Sequence, residues 1–193
     1  MRRVAVHAFT DGRDTSPTGG VGYLVELREA IAEKGVGEVA TVVGRYWAMD
    51  RDRRWDRTRL AWDALTGGAA GRVARDPVEA LRKSYDADVT DEFVKPIVVE
   101  GTPRIGSGDA VVFFNFRADR ARQLTRAFTE PGFDGFPRPG LDDLHFVTMT
   151  QYDPAFDLPV LFERESRDEP AGEVWERAGL TNLRIAETEK YAH

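Results

Sequence analysis

Apolar residues occur along the chain in short runs separated by polar, turn-rich stretches. VAVHAF (4–9) and EVATVV (38–43) are runs of strand length, as buried strands require. Between them, after the polar loop TDGRDTSPTGG, Leu24, Leu27 and Ile31 recur at helical spacing, and Gly35 supplies a C-terminal stop. GRYWAMDRD is predicted as a loop. A second helix follows from about Trp55 to Leu65, with Trp62 and Leu65 on one side and arginines on the other, broken by glycines 67, 68 and 71. Asp76-Pro77-x-Glu79 has the form of a helix start: a capping acceptor, proline at the first helical position, and a carboxylate at the third. IVVEGTPRIGSGDAVVFF reads as two strands around a Gly/Pro-rich connection. ADRARQLTRAF (118–128) reads as a helix, PGFDGFPRPG (131–140) as a loop, LHFVTMT (144–150) as a strand and AGEVWERAG as a short last helix. Strands alternating with helices give an α/β fold with a mixed central sheet flanked by helices.

The length of 193 residues suits one large domain, or a domain with a small lobe. Cysteine is absent, which removes disulfides, zinc–thiolate sites and thiol nucleophiles from consideration. No apolar run approaches the ~18 residues of a membrane span. The start, MRRVAVHAFTDG, has a short apolar stretch closed by Asp11, so it reads as a buried strand and not a secretion signal. A cytoplasmic protein is expected.

Net charge is −6, which argues against a broad nucleic-acid footprint. The arginines are nevertheless clustered: residues 44–59 hold six against three aspartates, and residues 117–126 hold four against one. Local basic clusters on an acidic chain suit a small anionic ligand. The competing reading, a salt-bridged helix surface, is favoured for most of these arginines.

Placement sharpens the choice. DGRD follows the first strand, GRYWAMDR the second, and NFRADR the strand at 110–116. Ligands of open α/β sheets bind beyond the carboxyl ends of strands. On a helix beginning near Ala118, Arg117 and Arg120 lie on neighbouring faces near its positive end, while Arg122 points elsewhere. Asp119 equally suits neutralising its neighbours at the surface. In DGRD, Asp14 suits accepting hydrogen bonds from hydroxyl groups, or moving a proton if its pKa is raised. The plainer reading is an Asp-Gly turn whose carboxylates bond their own backbone. His7, His145 and His193 have no metal-ligand spacing, and His7 reads as a packed core residue. No serine sits in a nucleophile elbow, GTPRIGSG lacks the ending of a P-loop, and Gly20-x-Gly22 lacks the dinucleotide pattern. Tyr46, Trp47 and Trp55 interleave with arginines, as base-stacking residues do, but read better as anchors of the second helix.

HAFTDGRDTSPTGG, GRYWAMDRDRRWDR, VVFFNFRADRARQLTRAF, TMTQYD and LRIAETEKYAH resemble cofactor-independent (2,3-bisphosphoglycerate-independent) phosphoglycerate mutase, in order and across nearly the whole chain. The resemblance implies the phosphotransferase-domain-like fold that this family inserts into an alkaline-phosphatase-like domain. It places that substrate-binding domain at 1–186 and the start of a linker back to the phosphatase domain at 187–193. It also implies that Arg13, Asp14, Arg45, Arg51, Arg117, Arg120 and Lys190 bind substrate, with Asp14 also in a catalytic, proton-moving role. The implied ligands are 3-phosphoglycerate and 2-phosphoglycerate, interconverted in glycolysis through a phosphoserine on the phosphatase domain with two manganese ions. No cofactor is expected in this chain. The family's upstream stretch resembling HGLLSDGGVHSH is absent here, which implies an anion pocket short of one wall and a sheet short of one strand. The implied partner is the phosphatase domain, with no nucleic acid and no membrane, and the isolated chain is expected to bind without turnover. The alternative is a non-catalytic module that binds nucleic acid or a protein partner through the Arg/Trp clusters.

Overall fold

The computed structural model describes residues 3–68, 71–163, 169–183 and 185–186. Strand β1 (Ala5–Thr10) crosses over through helix α1 (Gly20–Lys34) to pair in parallel with β2 (Glu38–Gly44). This is the βαβ unit that the two apolar runs and the intervening helical spacing require. Gly35 closes α1 in the left-handed region at φ 66°, where only glycine avoids a steric penalty. After α2 (Arg45–Ala48) and α3 (Trp55–Thr66) come β3 (Arg72–Ala74), α4 (Pro77–Tyr85) and β4 (Ile97–Val99). The Asp76 carboxylate caps α4, accepting from the amides of Val78 and Glu79 at 2.8 and 3.0 Å. β4 runs antiparallel to β2 and parallel to β3, giving a mixed sheet in the order β1-β2-β4-β3.

A second, two-stranded parallel sheet joins β5 (Ala110–Phe113) to β6 (His145–Thr148). The strands therefore fall into two sheets, because β1 and β5 do not pair with each other. A cavity of about 620 Å³ lies between them. Helix α5 (Arg122–Thr129) follows β5, and α6 (Ala171–Arg177) comes last.

Among the described residues, two larger apolar cores hold this arrangement, with a third small cluster of Val43, Ala48 and Ala61 beside them. One joins Leu24 of α1 and Leu81 of α4 to Val42 and Ile97 of the larger sheet. The other sets Trp62 and Leu65 of α3 against Phe113, Leu124, Phe128 and Phe146, with Phe136 reaching in from the 131–140 loop. Each such fully buried side chain contributes about 1.5–3 kcal/mol. α3 and α5 thereby fix the second sheet beside the first.

Three local expectations change. GRYWAMDRD contains the one-turn helix α2. The three-residue β3 lies where no strand is predicted. Helix α5 begins at Arg122 instead of Ala118, because residues 118–121 close a tight turn in which the Ala121 and Arg122 amides donate to the Ala118 carbonyl at 3.0 and 3.2 Å. No helix among the described residues is long and apolar enough to cross a membrane.

Candidate functional site

The loops after β1 and β2 are both built on one 3-10 turn, Asp91–Phe93. At the end of β1, the Thr10 hydroxyl donates to the Asp91 carbonyl at 2.7 Å. Gly12 follows at φ +65°, and a Cβ there would lie 2.6 Å from the Glu92 amide nitrogen. The Asp91 amide donates to the Pro17 carbonyl at 2.8 Å, and its buried carboxylate accepts from the Gly20 amide at 2.7 Å and from the Tyr85 hydroxyl. Gly44, at the end of β2, donates to the Val94 carbonyl at 2.8 Å. A Cβ on Gly44 would lie 2.5–2.7 Å from backbone atoms of Asp91, Glu92 and Val94. Glycine lets both loops close on the same turn.

Charged groups meet on these loops. Asp11 Oδ1 accepts from the amides of Arg13 and Asp14 at 3.0 and 3.1 Å, so the plain turn reading of DGRD is realised through Asp11. The same oxygen accepts from Arg45 Nη1 at 2.5 Å, and that nitrogen also donates to Asp14 Oδ2 at 2.9 Å. Arg45 is 7% exposed, and its Nε is buried without a hydrogen-bond partner. Burial pulls its pKa down, but the bonds and charges of Asp14 and Asp11 outweigh this and raise it. For Asp11, burial acts upward and is outweighed by the amides of Asp14 and Arg13 and by Arg45, so its carboxyl is held below the usual range.

A second group stands beside the first. Asp119 is buried in the turn before α5, and its Oδ2 accepts from Arg51 Nη1 at 2.7 Å. Arg117 Nε lies 2.8 Å from Oδ1 but off the hydrogen-bonding angle, leaving that oxygen without a hydrogen bond. Burial acts to raise the Asp119 pKa, and Arg51, Arg117 and Arg120 overcome it. The loop that carries Arg51 is fixed by Gln123 of α5, which donates to Asp50 Oδ2 at 2.9 Å and accepts from the Arg53 amide at 2.5 Å.

Arg120 joins the two groups. Its Nη1 donates to the Met49 carbonyl at 3.0 Å, and among the described residues it makes no salt bridge. Burial, then the positive charges of Arg45 and Arg51, lower its pKa, with Arg13 adding to the effect and Asp119 opposing it. A half-buried guanidinium repelled by its neighbours is stabilised by any anion that reaches it.

Arg13, Asp14, Arg45, Arg51, Arg117 and Arg120 thus share one rim at the carboxyl ends of β1, β2 and β5. Arg13 and Arg117 are exposed, and Arg13 Nη1 lies 4.0 Å from Glu92 Oε1. Lys190 lies outside the described residues. Arg122 turns away, donating to the Tyr152 carbonyl at 2.6 Å; the helical spacing behind that expectation does not apply, because α5 begins only at Arg122. Asp119 is a buried pairing centre and not a surface counter-ion. Asp11 and Gln123 are structural members of the rim that local spacing does not reveal, because their partners stand 34 and 70–73 residues away in sequence. The aromatic residues of the cluster are engaged within the molecule: Arg57 lies over Tyr46 at 3.7 Å, Trp47 Nε1 donates to the Phe93 carbonyl at 3.0 Å, and Trp55 meets Phe133 edge-on at 5.1 Å. Nothing in these contacts favours a base-stacking surface. His7 shares a hydrogen bond of 2.9 Å with Thr41 Oγ1 inside the sheet, away from the rim.

Comparison with known proteins gives a consistent result. The family profile described as BPG-independent PGAM N-terminus matches residues 1–154. The chain is 56% identical over 201 residues to a 2,3-bisphosphoglycerate-independent phosphoglycerate mutase of Salinibacter ruber, covering 99% of this chain and 38% of that protein. It is 54% identical over 198 residues to the protein of the same name from Moorella thermoacetica, covering 100% of this chain and 38% of that one. The chain therefore spans 38% of the length of these relatives. Its fold is similar to a Leishmania mexicana phosphoglycerate mutase crystallised at low cobalt concentration, with a TM-score of 0.80 and 28% identity over 92% of this chain and 35% of that one.

Proposed function

The chain belongs to the family of cofactor-independent phosphoglycerate mutases, and from that premise we propose that it is the substrate-holding part of such an enzyme. In this reading the arginine rim binds 3-phosphoglycerate and 2-phosphoglycerate. Arg120, half-buried among like charges and without a salt bridge among the described residues, is the observation that carries it. Two-pronged guanidinium contacts from Arg45, Arg51, Arg117 and Arg120 suit a carboxylate and a phosphate held at fixed separation. Arg13 and Asp14 stand at the exposed edge, where Asp14 accepts hydrogen bonds from the ligand's hydroxyl groups. We assign Lys190 to the same site on the family resemblance alone, and take 1–186 as the binding unit with 187–193 leading to a phosphatase domain.

The chemistry then divides between two units. The phosphatase domain supplies the serine that takes and returns the phosphoryl group. This chain's residues hold the glycerate between the two transfers, keeping it oriented and away from water. The described residues do not fit the two manganese ions that the resemblance implies, since among them no group of three or more His, Cys, Asp or Glu is arranged to hold a metal. We assign those ions to the phosphatase domain and route no step through them here. A cytoplasmic location follows from the glycolytic role.

Calorimetric titration of the chain with 3-phosphoglycerate tests the reading. Saturable binding is expected, weakened about 10–100-fold by Arg120→Ala, in line with the loss of a charge-assisted hydrogen bond. No heat at millimolar ligand, or full affinity in the variant, overturns it. Mutase turnover is expected only when the phosphatase unit is added back.

A further inference from the structure

Gln123 stands where two helices meet the loop that supplies Arg51. It is the second residue of α5 and is 6% exposed. Its Nε2 donates to Asp50 Oδ2 at 2.9 Å and to Thr58 Oγ1 of α3 at 3.2 Å, and its Oε1 accepts from the Arg53 amide at 2.5 Å. Only one orientation of the side-chain amide serves all of these partners. Turned over, it would set a carbonyl against the Asp50 carboxylate and an amino group against the Arg53 N–H. Leu124 and Phe128 of α5 pack in one core with Trp62 and Leu65 of α3, so the amide is carried on rigid supports.

The loop that Gln123 grips is bent against local preference. Arg53 takes φ 57°, in the left-handed region that residues with a Cβ seldom adopt. Buried Asp50 holds the same bend from inside, its Oδ2 accepting from the amides of Asp52 and Arg54 at 3.0 Å each. Gln123 ties both Asp50 and Arg53 to α5, and so fixes the segment that carries Arg51 between them.

Two other links join this loop to the turn before α5. Arg51 donates to Asp119 at 2.7 Å, and Arg120 donates to the Met49 carbonyl at 3.0 Å. Both links are made by guanidinium groups of the rim, the groups that an anion would draw toward itself. The Gln123 amide is uncharged and buried, so its grip persists when those guanidinium groups are engaged.

We propose that Gln123 is a positioning residue of the rim, acting through residues 50–53 to hold Arg51 at a set distance from Arg120. Without it both guanidinium groups are still present, but the loop that sets one against the other is released from α5. A ligand that needs both at once then has to order them itself, and binds more weakly. The placement stands on geometry alone, whereas its effect on affinity rests on the anion-binding reading above.

Carboxyl NMR titration of Asp119 in the whole chain reads the placement without ligand. Arg51 is among the groups that hold the Asp119 pKa below its ordinary value, against the upward pull of burial. Gln123→Met is expected to raise the Asp119 midpoint as Arg51→Ala does, and the double variant to raise it no further than Arg51→Ala alone. Gln123→Asn keeps the amide but is too short to span its partners; it is expected to give a smaller shift in the same direction, and carries the test if the methionine variant does not fold. An unmoved Asp119 midpoint overturns the proposal, as do shifts that add in the double variant. Calorimetry with 3-phosphoglycerate supplies the functional arm: Gln123→Met is expected to weaken binding about tenfold in the parent and not at all in the Arg51→Ala background. Equal weakening in both backgrounds marks a general loss of structure and overturns the proposal. No heat from the parent chain refutes the anion-binding reading instead, and the Asp119 titration alone then decides the placement.

Discussion

Replacing Asp91 by alanine probes the turn on which the rim stands. The side chain is 1% exposed, and its carboxylate accepts from the Gly20 amide at 2.7 Å and from the Tyr85 hydroxyl. Alanine leaves two donors at a buried position without an acceptor. Hydrogen bonds to a charged group are worth about 1.5–3 kcal/mol each, so the gross loss is about 3–6 kcal/mol. An opposing term comes from the carboxylate itself, whose partners here are an amide and a hydroxyl and not a cation. Removing it relieves the part of the desolvation penalty not already counted in those bond values, about 1–2 kcal/mol. The expected net destabilisation is therefore about 2–4 kcal/mol, read as a lowered urea midpoint at pH 7 from tryptophan fluorescence. Asp91→Asn keeps one acceptor oxygen and is expected to lose about half as much. A spectroscopic titration adds a local readout: burial, then Asp91, holds the Tyr85 pKa above its ordinary value, and it should fall in the alanine variant. An alanine variant within about 0.5 kcal/mol of the parent would show that the desolvation penalty cancels the bonds, and the bracing argument would fail.

His7 makes stability depend on mild acid. Its pKa is lowered to about 4, first by burial and then by Arg104, so between pH 6.5 and about 4 the unfolded chain binds a proton that the fold excludes. Stability is then complete above pH 6.5 and falls by up to about 3 kcal/mol as the pH drops through that window. His7→Gln is expected to flatten the change in urea midpoint between pH 7 and pH 4, and an unaltered profile would remove His7 from the account. Gly44→Ala places a Cβ within 2.7 Å of three backbone atoms and is expected to cost about 1–3 kcal/mol. Gly22→Ala, with nothing within 4 Å in the first turn of α1, should instead stabilise by up to about 0.5 kcal/mol, and both midpoints moving together would refute the steric reasoning.

The features legible in the sequence are those with a local physical cause. The Asp76-Pro77 start of α4, the Gly35 end of α1 and the apolar runs of β1 and β2 each follow from a few adjacent residues. The start of α5 does not, because turning the Asp119 side chain toward Arg51 is a contact across 68 residues. β3 carries no signal, since three residues with Val73 exposed show neither alternation nor a core run. Division into two sheets is likewise invisible, as strand pairing across a cavity leaves no mark on spacing. At the site, the three arginine-bearing loops after strands were readable from position alone. The ion pairs that order them, Arg45 with Asp11 and Arg51 with Asp119, became visible only when the chain was folded.

Gly12 and Gly44 rest on the same short turn, so the loops after β1 and β2 share a footing. Neither loop moves without displacing the other. The Arg45 guanidinium, held by Asp11 and Asp14, is consequently a fixed point on one jaw, while the exposed Arg13 is fixed there only at its backbone. In the proposed binding role, an arriving ligand finds the Arg45 charge already placed, with little reorganisation left to do there. If the rim binds as proposed, a jaw of that kind measures distance, and anions whose two charged ends match its span are expected to bind better than compact ions such as inorganic phosphate.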